Sequence, residues 1–191
     1  MDQSISQARI LIVDDEPANL KVMREVLASN YRLSFAKSGA VALQLIENDP
    51  PKLILLDVMM PDMNGFEVCK ILKANPKTAH IPVIFVTALT QEQDESEGFS
   101  LGAVDYITKP ISPAIVKARV KTHLSLVQAK QLKQAHVDLV ERLGRAAEYK
   151  DTDTGEHIAR MSQYSKVLAL ALGMNEQHAE LLRQAAPMHD V

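Results

Sequence analysis

KLILLDVMMPDMNGFEV, residues 52–68, runs from a short apolar stretch through an aspartate into a helical pattern. Residues 52–57 (KLILLD) are continuously apolar between Lys52 and Asp57, without the period-two alternation of a strand that has one wet face. Such a strand is covered on both sides, as happens when helices pack on both faces of a parallel sheet. Asp57 stands at the end of this strand, and the pattern that follows predicts a helix over 64–74.

The same alternation extends in both directions. RILIVDD (9–15), LSFA (33–36), PVIFVTA (82–88) and AVDYIT (103–108) read as strands, and the first and third of these are again continuously apolar. Helical patterns fall near 17–29, 38–48 and 91–101, with a further one starting near 112. Strands and helices in strict alternation make βαβ units, so the expected fold is α/β: a flavodoxin-like, doubly wound, five-stranded parallel sheet.

In such a sheet chemistry gathers in the crevice beyond the carboxyl ends of the strands. Strand one ends in Asp14 and Asp15, strand three in Asp57 and strand four in Thr87, while Lys109-Pro110 follows strand five. One aspartate at a strand end is ordinary turn chemistry. Three carboxylates on one rim repel one another unless a cation sits among them, and open oxygen sites suit Mg²⁺. Lys109 adds a point charge able to hold a phosphate-like anion. A carboxylate beside a metal can attack phosphorus and become an aspartyl phosphate.

The totals agree with a soluble, cytoplasmic protein. The 191 residues are 47% hydrophobic and 24% charged, which is globular composition. A net charge of −3 gives no reason to expect nucleic acid as a partner. Cys69 is the single cysteine, so no disulfide forms within the chain. The opening MDQSISQARI lacks the basic start and apolar run of a signal peptide, and LILLDVMM is far shorter than the ~20 residues of a membrane span, so no membrane insertion is expected.

Beyond residue 112 the character changes. The stretch from Ser112 to Lys150 has no proline after Pro113 and no glycine for about thirty residues, which predicts one long helix that outgrows the α/β domain. Val120, Leu124 and Val127 step by four and three; after a slip near Gln128–Gln131, Leu132, His136, Leu139, Leu143 and Ala146 step likewise. That seam suits a pair of helices in a homodimer, or an amphipathic helix packed on its own chain. From Glu148 onward a turn and two helices are expected, over 155–172 with Thr154 as cap and Gly173 as stop, and over 176–187 with Asn175 as cap. The domain reading is 1–124, a linker helix 125–147 and a partial helical segment 148–191. Near the second of these helices' ends stand His189 and Asp190, and near the start of the first stand Asp153 and His157. The helix N-terminus disfavours an imidazolium at His157, and a metal ligand must be neutral; ordinary helix-terminal polar residues would look the same.

With VDDEP, LLDVMMPDMNGFEV, VIFVTA and GAVDYITKP in order, residues 8–124 resemble a response-regulator receiver domain. The resemblance implies that Asp57 is the phosphoacceptor and that Asp14, Asp15, Asp57 and the Met59 backbone carbonyl hold Mg²⁺. It also implies that Lys109, in cis linkage to Pro110, contacts the phosphoryl group, that Thr87 and Tyr106 are the switch residues, and that a cognate sensor histidine kinase is the partner. Ile111 departs from the family, where phenylalanine is common, and bears on packing only. TGEH at 154–157 and AAPMHD at 185–190 resemble the start of an HD-GYP domain, the cyclic di-GMP phosphodiesterase branch of the HD hydrolases. That resemblance implies His157, His189 and Asp190, with Asp153 at a position that varies with the number of metals, as ligands of a transition-metal pair or triad, iron or another metal, in a longer parent whose substrate is cyclic di-GMP. The further ligands and the GYP signature are not among these residues, so the chain reads as a truncated form without that activity. A non-enzymatic signalling adaptor, with a degenerate HD-like segment used for protein contacts, is the alternative. An HD phosphohydrolase acting on nucleotides fits less well, and no basic recognition helix suggests a DNA-binding output.

Overall fold

The computed structural model describes residues 8–88, 92–147 and 156–188, with side chains at all of these except 92–95, 141, 144–147, 156–159 and 188. The chain divides into two compact units, Met1–Val127 and Gln128–Val191.

In the first unit the strands are β1 (Arg9–Val13), β2 (Arg32–Ala36), β3 (Leu53–Leu56), β4 (Val83–Thr87) and β5 (Asp105–Thr108). Between them lie α1 (Pro17–Leu27), α2 (Gly39–Asn48), α3 (Gly65–Ala74) and α4 (Glu92–Ser100). The sheet is parallel throughout, in the order β2-β1-β3-β4-β5. The expected α/β class and strand count are therefore observed. β1 stops at Val13, two residues short of the expected 9–15, where the apolar run gives way to Asp14 and Asp15.

The apolar runs are explained by two cores, one on each face. Alternate strand residues Leu11, Val13, Ile54, Leu56 and Phe85 pack with Ala42 and Ile46 of α2 and Val68 and Leu72 of α3. Their neighbours Ile10, Ile12, Leu53, Leu55, Ile84, Val86 and Ile107 pack with α1 and with Val116, Val120 and Leu124 of the fifth helix. Each of these strands points side chains into both cores, so neither face can carry a polar residue until the strand ends.

The fifth helix, α5, is continuous over 35 residues, Pro113–Ala147, and passes through the boundary between the units. In its second half Leu132, Leu139 and Leu143 are exposed, whereas Val137 and Val140 are half-buried. At 100° per residue the leucine stripe points roughly 100° away from those valines.

The second unit contains α6 (Glu156–Ala171), α7 (Glu176–Ala185) and a 3₁₀ turn, Ala186–Met188. α6 stops at Gly173, whose φ of 83° is left-handed, with Met174 N–H donating to the Ala169 carbonyl and Gly173 N–H to that of Leu170. Asn175 caps α7 by accepting from the His178 N–H at 2.9 Å. Buried Ala169 and Ala179 let α6 and α7 approach closely, and Lys166 bridges Glu176 (2.7 Å) and Glu180 (3.0 Å) across the pair. Val167, Leu168, Leu172 and Leu181 remain exposed. None of the described helices is long and apolar enough to cross a membrane.

Candidate functional site

β1 is the point where the strand order reverses, with β2 on one side and β3 on the other, and a crevice opens there beyond the strand ends. Two ladder bonds continue past the strands to fix the rim: Asp57 N–H donates to the Val13 carbonyl at 2.9 Å and Asp14 N–H to that of Ala36 at 3.2 Å. Asp14, Asp15 and Asp57 thereby offer carboxylate oxygens that all lie within 4.8 Å of one another. Asp14 and Asp57 are almost fully buried, while Asp15 is half-buried.

Lys109 reaches in from the end of β5 and bridges the two buried carboxylates, 2.6 Å from Asp57 Oδ2 and 2.9 Å from Asp14 Oδ2. Its peptide bond to Pro110 is cis. Asp57 Oδ1 accepts from the Met59 N–H at 3.1 Å. Burial lifts the Asp57 carboxyl above the usual carboxylate range; Lys109 and the Met59 N–H oppose this in part, and the neighbouring Asp14 adds to it. Burial pulls the Lys109 ammonium down, but hydrogen bonds from its Nζ to Asp57 and Asp14 outweigh that and leave it above its ordinary value. Thr87 is fully buried at the end of β4. Tyr106 is turned inward, 6% exposed, with its ring tilted against Phe85 at 5.6 Å, and Phe85 meets Phe66 edge-on at 5.1 Å.

Asp14, Asp15, Asp57 and Lys109 are thus brought together in one cluster, and Thr87 stands at the end of β4, whereas Tyr106 lies near the start of β5, paired with Phe85 two residues before that end. His157 lies in the first turn of α6, in a stretch whose side chains are not described, and Asp153, His189 and Asp190 fall outside the described residues.

Two contributors are absent from the sequence reading. Asn19, in the first turn of α1, donates from Nδ2 to both Asp14 oxygens at 3.0 Å, and the Glu16 N–H donates to Asp14 Oδ1 at 2.9 Å. Pro17 at the start of α1 is the signal that would have found Asn19, since it places the first turn directly after the acidic pair. The second is Gly65. A Cβ there would lie 2.2 Å from the Asp57 carbonyl oxygen, so only glycine lets α3 begin against the backbone of Asp57. The Asn64–Glu67 capping box, with both bonds at 2.9 Å, is its sequence signature.

A hard divalent cation fits these donors: they are oxygens, they are mutually close, and one side of the cluster is partly open at Asp15. The arrangement offers a nucleophilic carboxylate, an acidic cation site and a buried ammonium within one small volume.

The comparisons agree with that chemistry. The model of the response regulator receiver domain matches residues 10–121. A protein of Vibrio cholerae serotype O1, "Probable cyclic di-GMP phosphodiesterase", is 39% identical over 99% of this chain and 49% of its own length. "Cyclic di-GMP phosphodiesterase response regulator RpfG" of Xanthomonas campestris pv. campestris is 30% identical over 95% of this chain and 54% of its own. The chain therefore spans about half the length of these two relatives. Among solved structures, the signal receiver domain of a signal transduction histidine kinase from Syntrophus aciditrophicus is 34% identical, covers 62% of this chain and 90% of its own, and has a TM-score of 0.58. The chain belongs to the response regulators, with a receiver domain as its first unit, and is similar over 95% or more of its length to the two relatives named as cyclic di-GMP phosphodiesterases.

Proposed function

We propose that the first unit is a phosphorylation switch in which Asp57 takes a phosphoryl group from a cognate sensor histidine kinase in the cytoplasm. The observation that supports this most is the placement of Asp57, buried within 4.8 Å of two further carboxylates and 2.6 Å from Lys109. An Asp57 carboxylate oxygen attacks phosphorus, the bond from phosphorus to the donor's leaving group breaks, and an acyl phosphate remains. Asp14, Asp15, Asp57 and the Met59 carbonyl would hold Mg²⁺, which when bound neutralises charge on the transferring phosphoryl oxygens. Lys109 keeps its charge throughout and turns from the Asp57 carboxylate to the new phosphoryl oxygens. Thr87 and Tyr106 follow, since the modification adds charge and three acceptor oxygens beside them. Incubation with acetyl phosphate and Mg²⁺ should add the mass of one phosphoryl group to the wild type and none to Asp57→Asn. Equal labelling of both proteins would overturn the assignment.

The output belongs with the relatives named as cyclic di-GMP phosphodiesterases. In this reading residues 1–124 are the receiver, 125–147 the linker and 148–191 the first part of an HD-GYP domain. Its metal ligands include His157, His189, Asp190 and Asp153. The exposed stripe of Leu132, Leu139 and Leu143 supports a homodimer through α5. Sedimentation should find a dimer that Leu139→Glu converts to monomer.

A further inference from the structure

Asp105 opens β5, one residue before Tyr106, and three donors hold its carboxylate. The Tyr106 N–H donates to Oδ1 at 2.8 Å, the Arg119 guanidinium donates to the same oxygen, and His123 Nε2 meets Oδ2 at 2.9 Å. Arg119 and His123 are four residues apart on α5, so they project from the same face of consecutive turns. The Asp105 and His123 side chains are only 15% and 14% exposed, which shields these bonds from competing water.

The rest of the contact between α5 and the sheet is apolar, through Val116, Val120 and Leu124. Apolar burial holds a helix down but is non-directional, so it tolerates small slides and rotations. Charge-assisted hydrogen bonds fix orientation. The Asp105 group therefore sets where α5 lies along β5, and it does so next to the aromatic that packs on Phe85 of β4, the strand that ends in Thr87. The same helix then runs on to Ala147.

We infer that Asp105, Arg119 and His123 form a clamp that positions α5 against β5 and carries a change at Thr87 and Tyr106 into the linker part of that helix. This inference rests on the phosphorylation reading above. Spatial continuity alone does not establish coupling, so the test must measure coupling itself.

The full chain is compared with and without beryllofluoride and Mg²⁺, using backbone hydrogen exchange read by mass spectrometry. Peptides over 83–88 and 105–112 report the site, and those over 128–140 report the linker. In the wild type both regions should respond. In Asp105→Asn the site peptides should respond at wild-type beryllofluoride concentrations while the linker response falls at least threefold. Arg119→Lys, which keeps the charge, should retain most of it. If Asp105→Asn melts early, His123→Gln serves in its place, because it removes one of the three bonds. A wild-type linker response in both Asp105→Asn and His123→Gln overturns the clamp. A wild type whose site responds and whose linker does not overturns it too. Silence at the wild-type site peptides overturns the phosphorylation reading itself.

Discussion

Gly65→Ala is the sharpest test of how Asp57 is placed. Gly65 is the first residue of α3, it is buried, and its N–H donates to the Val58 carbonyl at 3.0 Å. An added Cβ would stand 2.2 Å from the Asp57 carbonyl oxygen, 2.9 Å from Val58 Cα and 3.0 Å from the Asp57 carbonyl carbon. All three are backbone atoms, so no side-chain rotation relieves the overlap. Real contacts do not fall below 3.0 Å, so β3 and α3 must separate by roughly 0.8 Å at this point. Asp57 Oδ2 now sits 2.6 Å from Lys109 Nζ. A displacement of that size in the wrong direction carries the pair to about 3.4 Å, outside good hydrogen-bond range. Forced overpacking of this kind costs about 1–3 kcal/mol, which lowers the melting temperature by roughly 4 °C for each kcal/mol. Misplacement by nearly an ångström at a reacting group can reduce its rate about 10²-fold. The expected result is a variant that melts several degrees early and is phosphorylated by acetyl phosphate about a hundred times more slowly. Gly173→Ala is the control: it strains a left-handed backbone with nothing within 4 Å, and should lose stability without losing phosphorylation. If Gly65→Ala melts like the wild type and is labelled within threefold of its rate, the close approach of α3 is not what places Asp57.

Lys109→Met leaves the buried carboxylates of Asp14 and Asp57 facing each other, and should cost about 3 kcal/mol without divalent cation. Thermal melts with and without Mg²⁺ should show that the ion restores a large part of this loss. Mg²⁺ competes with the proton on Asp57, whose carboxyl burial holds above the usual range. Titration calorimetry should therefore find Mg²⁺ affinity falling with decreasing pH before an ordinary carboxylate, near 4, would begin to protonate. In the second unit, hydrogen bonds from Arg183, Lys166 and Gln184 hold the Glu180 carboxyl down at about 2. A depressed carboxyl stabilises above its unfolded value and loses that stability as pH falls through the folded one. Amide protection factors in 160–185, taken against the intrinsic exchange rate at each pH, should fall between roughly pH 4.5 and 2, and Glu180→Gln should remove that pH dependence.

The sequence revealed the fold because each core strand is apolar on both faces and the two buried rim carboxylates, Asp14 and Asp57, are each the first polar residue after such a run. Asp57 after LILL and Asp14 after ILIV mark at once where a strand stops and where the crevice begins. Asn175 and Gly173 were legible as cap and stop because those roles depend on local backbone alone. Asn19 was legible only in part: Pro17 marks the first turn of α1 directly after the acidic pair, but the bonds from Asn19 to Asp14 depend on the direction in which that turn points. The clamp was hidden for a similar reason. Asp105, Arg119 and His123 are unremarkable in the sequence, and only the crossing of α5 over β5 brings them together. His157 remains a sequence reading without a described side chain, and Asp153, His189 and Asp190 lie outside the described residues.

The electrostatics at the rim also give the switch a direction. In the folded chain Asp57 binds its proton more tightly than in the unfolded chain, so this group's contribution to stability falls as pH rises through the window above the ordinary carboxylate value. At neutral pH the site therefore carries a destabilising term that the rest of the fold must offset. Lys109 relieves part of it by bridging Asp14 and Asp57, but in doing so it occupies the direction from which a phosphoryl group would be held. A divalent cation held by the three carboxylates would supply that neutralisation and leave the ammonium for a phosphoryl group. Phosphorylation then removes the Asp57 carboxylate itself and presents new oxygens to Lys109. Phosphorylation exchanges one carboxylate charge for about two, so neutralisation of the rim by the ion has to come before the phosphoryl group. Phosphorylation of Lys109→Met should consequently be slow even at saturating Mg²⁺, while its Mg²⁺ affinity should be at least that of the wild type. A lysine variant with weakened Mg²⁺ binding would refute this order, because it would make the ammonium a partner of the ion and not its competitor.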